Sequence, residues 1–195
     1  MRLSSLNTLF ALAVVLTASR PAAASLVIAL DLPTMVTRAD HVAVVDVVSV
    51  SSAWDERKER ILTTIDLAVV ETWKGPAAPA SHVSIVQRGG TVGDTEMMVY
   101  GMSRFQPGER ALVFLEGTLD HARVVGMSQG KRPMRMDTAT GRWLVHAPDR
   151  SGAAFIKQRG STLPSPVFDA RLRPIDELRA EIRALTPTTT PGKGR

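Results

Sequence analysis

The clearest pattern in the chain is a two-residue alternation from Arg60 to Trp73. Ile61, Thr63, Ile65, Leu67, Val69 and Trp73 fall on one face, and Leu62, Thr64, Asp66, Ala68, Val70 and Thr72 fall on the other. Successive side chains of a strand point to opposite sides, so this period predicts a strand with one buried face. Its 14 residues exceed the usual strand length, which predicts strong coiling or a bulge along it. Lys74-Gly75-Pro76 then supplies turn chemistry. The preceding stretch, His41 to Ser51, lacks this asymmetry. Val42, Val44, Val45, Val47, Val48 and Val50 put β-branched residues on both faces, as in a strand buried on both sides or wrapped into a barrel.

Helical periods flank these strands at a distance. In residues 31–40, Leu32, Met35, Val36 and Ala39 recur at i, i+3, i+4 and i+7, Asp31 is a capping residue, and Pro33 suits a first turn. Near the other end, Pro174 opens a stripe of Ile175, Leu178, Ile182 and Leu185. Asp176 and Glu177 sit in its first turn and Arg183 near its last, as the helix dipole favours. Between them, four further strands are predicted: Val83 to Arg88, Met97 to Tyr100, Arg110 to Glu116 and Ala122 to Met127. Gly89-Gly90, Gly93, Pro107-Gly108 and Gly117 punctuate them. Weaker pairing continues through Pro133 to Met136 and Arg142 to His146, joined by a turn over residues 137–141. Many short strands at this spacing predict a barrel or a sandwich. The stretch from Pro148 to Arg173 shows little periodicity and reads as an ordered loop or mobile arm, and the tail from Thr186 has nothing to bury.

Residues 1–24 follow a different logic. Arg2 gives a positive start, an apolar stretch runs from Leu9 to Leu16, and Ala22-Ala23-Ala24 precedes Ser25 as a small-residue cleavage site. This is the layout of a secretory signal peptide, with cleavage expected before Ser25. The apolar stretch is far shorter than the ~20 residues that span a bilayer, so no stable membrane insertion is expected after cleavage. The expected location is periplasmic or secreted. The first 24 residues hold Arg2 and Arg20 and no acid, leaving 22 Lys and Arg against 19 Asp and Glu, a charge of +3 on 171 residues. That balance favours solubility and demands no acidic or nucleic-acid partner. The chain has no cysteine, which excludes disulfides, thiolate metal sites, a cysteine nucleophile and a lipidated N-terminal cysteine.

Several segments together carry a resemblance: "RADHVAVVDVVSV", "ETWKG", "RGGTVG", the F-x-x-G-E-R-A-L-V-F-L run from Phe105 to Leu115, and "VVGMSQGK". Over Leu30 to Met136 the chain resembles a family of uncharacterised exported bacterial proteins. That likeness implies a small closed barrel similar to the OB-like netrin module, the fold of tissue inhibitors of metalloproteinases. Those inhibitors grip the protease zinc through an N-terminal cysteine. Here Ser25-Leu26-Val27 would stand first, so no functional residue carries over. The expected architecture is therefore a mostly β, small closed OB-like barrel over residues 25–147, with a short N-terminal helix. A loop arm and C-terminal helix follow over 148–185, then a disordered tail over 186–195.

Gly126-Met127-Ser128-Gln129-Gly130 matches the G-x-S-x-G nucleophile elbow, and Asp137 and His146 follow in triad order. Pro133 comes too soon for the helix such an elbow needs, and no βαβ alternation precedes it. His41, His82, His121 and His146 show no H-E-x-x-H spacing. Met97, Met98, Met102, Met127, Met134 and Met136 could supply soft ligands to Cu(I), although methionine is more often a core filler. Lys131, Arg132, Arg135 and Arg142 are basic, but Trp143 alone could stack a base. Glu71 and Glu109, each framed by apolar strand residues, are the candidate carboxylates for glycoside chemistry, and Glu109 is expected to accept turn amides. Trp54 and Trp73 read as core or rim aromatics.

The expectation is an exported, non-catalytic binding or interaction module without a cofactor, recognising a protein of the same compartment, an exported protease being the leading guess. The candidate loops are Ser52 to Glu59, where Trp54 could anchor a partner, and Gly89 to Glu96, with Gly89 and Gly90. The alternatives are a small secreted hydrolase using Ser128 or a carboxylate pair, and a methionine-based copper-handling protein.

Overall fold

The computed structural model describes residues 26–76, 78, 81–148, 154–156 and 171–186. The expected signal peptide, most of the arm, and the tail beyond residue 186 lie outside these residues. The strands are β1 (Leu26–Ile28), β2 (His41–Trp54), β3 (Ile61–Lys74), β4 (His82–Arg88), β5 (Gly90–Val92), β6 (Thr95–Met97), β7 (Arg110–Glu116), β8 (Arg123–Val124), β9 (Lys131–Asp137), β10 (Arg142–Val145), β11 (Ala154–Ile156) and β12 (Arg173–Pro174). Two helices accompany them, α1 (Leu32–Arg38) and α2 (Ile175–Leu185). None of the described helices is long and apolar enough to cross a membrane.

The main sheet is antiparallel, in the order β12-β10-β9-β7-β2-β3-β4, with β8 also paired to β7. β5 and β6 form a separate hairpin, and β1 runs parallel to β11. α1 begins as its sequence dictates. The Asp31 carboxylate accepts from Thr34 N–H at 2.8 Å, satisfying an amide the helix cannot. At its other end, Lys74 Nζ donates to the carbonyls of Val36 and Ala39 at 2.7 and 2.6 Å, where a cation also suits the dipole.

Two cores lie on opposite faces of the sheet. One gathers Val45, Val47, Ile65, Leu67, Val69, Val83, Ile85 and Val113; the other gathers Met35, Val36, Val42, Val44, Leu112, Phe114, Leu178 and Ile182. β2 and β7 feed both, which explains why their sequences show apolar residues on both parities. The helices cover the second face, and the buried stripe of α2 is the Leu178–Ile182 pair expected from its period.

The bulges expected from the length of β3 are present. Register slips occur between Val42 and Ala43, Val44 and Val45, and Val47 and Ser49 of β2. Val44 faces Glu71 while Val45 faces Val69, leaving Val70 as an extra residue that reverses the parity beyond it. Trp73 is thereby moved to the second core, away from the Ile65–Leu67 face to which strict alternation assigned it. Val48, the extra residue on β2, is exposed.

The expected closed barrel is not found: the sheet is open, with β12 at one margin and β4 at the other. A single parallel bridge, Ile85 to Ala122, reaches across from β4. Beyond it, Arg123 and Val124 turn to pair with Glu116 and Leu115 of β7, so the chain leaves β4 before a ladder can form. The strand expected over Ala122 to Met127 is accordingly cut to two residues, and Met127 starts a 3₁₀ turn instead. The strand expected over Met97 to Tyr100 is also displaced. Met97 ends β6, and the chain then runs as a loop into the gap between β4 and the Met127 turn.

Candidate binding groove

The missing closure leaves a groove of about 610 Å³ between β4 and the β8 side. One wall is Ile85 to Arg88, and the other is Arg123, Val124, Gly126 and Met127. Val99, Met102 and Ser103 fill the space between them at depth. Hydrogen bonds fix that filling. Gln87 Nε2 donates to Ser103 C=O at 2.8 Å, Ser103 Oγ donates to Met127 C=O at 3.1 Å, and Ser128 N–H donates to Gly101 C=O at 2.9 Å. The turn itself needs left-handed backbone at two successive residues, Gly126 (φ 64°) and Met127 (φ 63°). Glycine adopts this freely; methionine does so at a cost of about 1–2 kcal/mol. A Cβ at Gly126 would also overlap the Leu30 side chain.

The groove is apolar within and basic at its rim. Arg38, Arg88 and Arg123 border it, with Glu116 as the one acid among the described residues. Arg38 and Arg123 reach Glu116 at 3.4 and 3.9 Å, contacts of the exposed kind that contribute little. Arg88 is exposed and has no ion pair among the described residues. Among the described residues no aromatic side chain borders the groove.

A second cavity of about 380 Å³ adjoins it under the β5–β6 hairpin, and Gln87, Arg88, Val99, Met102 and Ser103 border both. Gly89 and Gly90 line this cavity, but their chemistry is close approach. Thr63 Oγ1 donates to Gly89 C=O at 2.5 Å, Ser52 Oγ lies 2.8 Å from Thr63 Oγ1, and a Cβ on Gly90 would overlap both hydroxyls. These glycines seat the hairpin on β2 and β3. Trp54 ends β2, is 38% exposed, and lies beside a shallow dip formed with Asp55, Glu56, Arg57, Glu59, Arg60 and Leu62.

The catalytic candidates are not brought together. Ser128 is 1% exposed and its Oγ has no hydrogen-bond partner among the described residues, so none of their bases touches it. Asp137 is engaged in its own turn, accepting from Ala139 N–H at 3.0 Å and Thr140 Oγ1 at 2.7 Å, and the threonine bond above all lowers its pKa. His146 has its pKa pushed down by burial and by nearby Arg135. Glu109 accepts from Gln106 N–H at 3.3 Å, the turn role expected, and also from Lys131 Nζ at 2.7 Å. Glu71 accepts from Arg179 at 2.8 Å.

The basic stretch is likewise dispersed. Lys131 is buried, bonded to Glu109 and Arg104 C=O and set over the Phe105 ring at 4.7 Å. Arg132 lies over Phe114, and burial pulls its pKa down to about 10. Arg142 pairs with Asp176, while Trp143 carries Arg110 at 4.7 Å. Met97, Met98 and Met102 line the second cavity and Met127 the groove, whereas Met134 is buried in the second core and Met136 is exposed on β9. Among the described residues no histidine borders either cavity, and no cluster of three or more His, Asp or Glu is suited to a metal.

Sequence reasoning did not single out Arg38, Arg88, Arg123 or Gln129. The first three come from segments far apart in the chain, and no local pattern joins them. Gln129 is fully buried; its Oε1 accepts from Leu30 N–H at 2.8 Å and its Nε2 donates to Ile28 C=O at 2.9 Å, tying down the start of the described chain. The chain matches no protein-family model, no curated protein and no solved structure.

Proposed function

We propose that this chain is an exported, non-catalytic binding module whose ligand face is the groove between β4 and β8. One observation carries the reading: an open apolar trough bordered by three arginines and one glutamate, on a margin where the sheet stops short of closing. Apolar lining supplies burial and a few charged groups orient the ligand, the usual division of labour in a binding site. The excess of arginine selects for anionic ligands with apolar parts. The buried, unpartnered Ser128 and the separate engagements of Asp137, Glu71 and Glu109 favour binding over catalysis.

The test uses 8-anilinonaphthalene-1-sulfonate, an apolar anion, titrated into the purified protein. Saturable fluorescence enhancement is expected, weakened by Arg88→Glu with Arg123→Glu and unchanged by Arg57→Glu at the hairpin tip. Equal binding by all three proteins would sink the groove reading. Export is tested separately, by N-terminal sequencing of the envelope fraction, with Ser25 expected as the first residue.

A further inference from the structure

The groove wall contributed by β4 is a sheet edge, and hydrogen-bond parity identifies its unpaired groups. Gly89 N–H donates to Ile61 C=O at 2.8 Å, and Gln87 and Ile85 stand opposite Thr63 and Ile65. The odd-numbered residues of β4 therefore turn their backbone groups toward β3, and the even-numbered ones turn away. Ser84 shows where the outward groups go: its N–H donates to Leu119 C=O at 2.9 Å and its C=O accepts from Ala122 N–H at 3.1 Å. Val86 and Arg88 continue this outward series to the point where the opposite chain departs for β7. The parallel Ile85–Ala122 bridge also engages the Val86 N–H with Ala122 C=O, so the outward groups left without a partner among the described residues are Val86 C=O and the N–H and C=O of Arg88. Val86 is also an exposed hydrophobic on an edge, a combination that soluble proteins ordinarily cover or charge.

We propose that the groove takes an extended acidic peptide, which adds as a strand along Val86 to Arg88. The inference rests on the groove being the binding face and names its occupant. An edge that offers both N–H and C=O groups is satisfied by another backbone, which presents both complements at strand spacing. A fatty anion would fill the trough and leave those groups unmet. The rim sets the sign: Arg38, Arg88 and Arg123 stand against Glu116 alone, so acidic side chains meet an uncompensated positive field. The trough sets the alternation, since every second side chain of the added strand turns inward onto Val124, Met102 and Met127 while the others lie beside Val86 and Arg88. The lack of aromatic side chains among the described residues of the groove disfavours single-stranded nucleic acid, which needs stacking platforms.

The experiment uses a fluorescein-labelled nine-residue peptide of alternating valine and glutamate, read by anisotropy against the purified protein. Two companion peptides carry N-methyl groups, one on the odd amides and one on the even. Strand addition predicts that one parity loses affinity by about fivefold or more, for the loss of two or more backbone hydrogen bonds, while the other parity binds as the parent does. On the protein side, Arg88→Pro deletes the free outward donor at the end of the edge strand, and should weaken the parent peptide by about twofold or more beyond the charge-only variant Arg88→Ala, with an unchanged thermal melt. Should that variant melt early, the N-methyl pair decides alone, because it leaves the protein untouched. Equal binding by both N-methyl peptides overturns strand addition, and if Arg88→Glu still abolishes binding the groove reading survives it. Failure of every peptide, with arginine-dependent binding of the naphthalene sulfonate intact, overturns the peptide occupant alone. Failure of both probes overturns the occupant and the groove together.

Discussion

The two margins of the main sheet are treated in opposite ways. At one, β12 is two residues long and β10 is four, and α2 lies against that side with Leu178 and Ile182 fully buried. Ion pairs reinforce that margin: Arg142 to Asp176 at 3.3 Å and Arg173 to Glu181 at 2.7 Å. Short edge strands, a covering helix and charge are all means by which sheets avoid pairing with a stranger. At the other margin β4 runs seven residues, ends in an arginine without an ion pair among the described residues, and exposes Val86. Since the same chain protects one edge and leaves the other open, the open edge is a feature in need of a use, and binding is the use proposed here.

The comparison is broken most severely by uncovering the protected margin. Ile182→Ala or Leu178→Ala should cost about 2–5 kcal/mol in denaturant unfolding, because each removes a fully buried side chain from the helix that covers the second core. Ile65→Ala and Leu67→Ala should cost as much from the first core. A result near zero for the α2 pair would mean that the helix decorates the sheet without protecting it.

Acid should act next. His146 follows β10 and its pKa is lowered from 6.5 by burial and Arg135. The unfolded chain then binds that proton first, so stability is complete above about pH 6.5 and declines as pH falls below it. Asp46, lowered from 3.8 chiefly by its bond from Arg110, adds a second loss below that value. Urea titrations at stepped pH would show the first loss flatten in His146→Gln and the second in Asp46→Asn. The Asp46–Arg110 pair, at 2.6 Å but partly exposed, should be worth no more than about 1 kcal/mol at neutral pH.

Least of all should stability respond at the open margin. Val86→Thr and Arg88→Ala should change unfolding free energy by no more than about 0.5 kcal/mol, as exposed substitutions away from special features do. Arg88→Ala should nonetheless weaken the anionic naphthalene probe. A large destabilisation there would show that the edge is already occupied by the chain itself, and would erase the contrast between the margins.

Much of the fold is legible in local periods. Asp31 and the Leu32–Ala39 stripe announce α1, the Arg110–Glu116 run delimits β7 to the residue, and Leu178 with Ile182 gives the buried line of α2. What a period cannot report is a slip in it. The face of Trp73 depends on the extra residue at Val70, which is defined only by the partner strand. Closure depends on where residues 122–127 part from β4, a decision made by pairing with β7 and by two left-handed residues in a row. The site was less legible still. Gly89 and Gly90 stand out in the sequence, yet their necessity comes from the hydroxyls of Ser52 and Thr63 packed against them. Arg38, Arg88 and Arg123 look like ordinary surface charge until the fold sets them around one trough.

Gln129 has a kinetic consequence. Its side-chain amide grips Leu30 and Ile28 from 99 and 101 residues away, and β1 pairs in parallel with a strand that begins still later, at Ala154. A chain that emerges N-terminus first therefore completes β2, β3, β4, β7 and β8 before Gln129 can receive residues 26–30. Docking of residues 26–30 is expected as a late, separate phase in refolding, because such distant closures are slow. Gln129→Ala should remove that phase while leaving the faster assembly of β2, β3 and β7 in place.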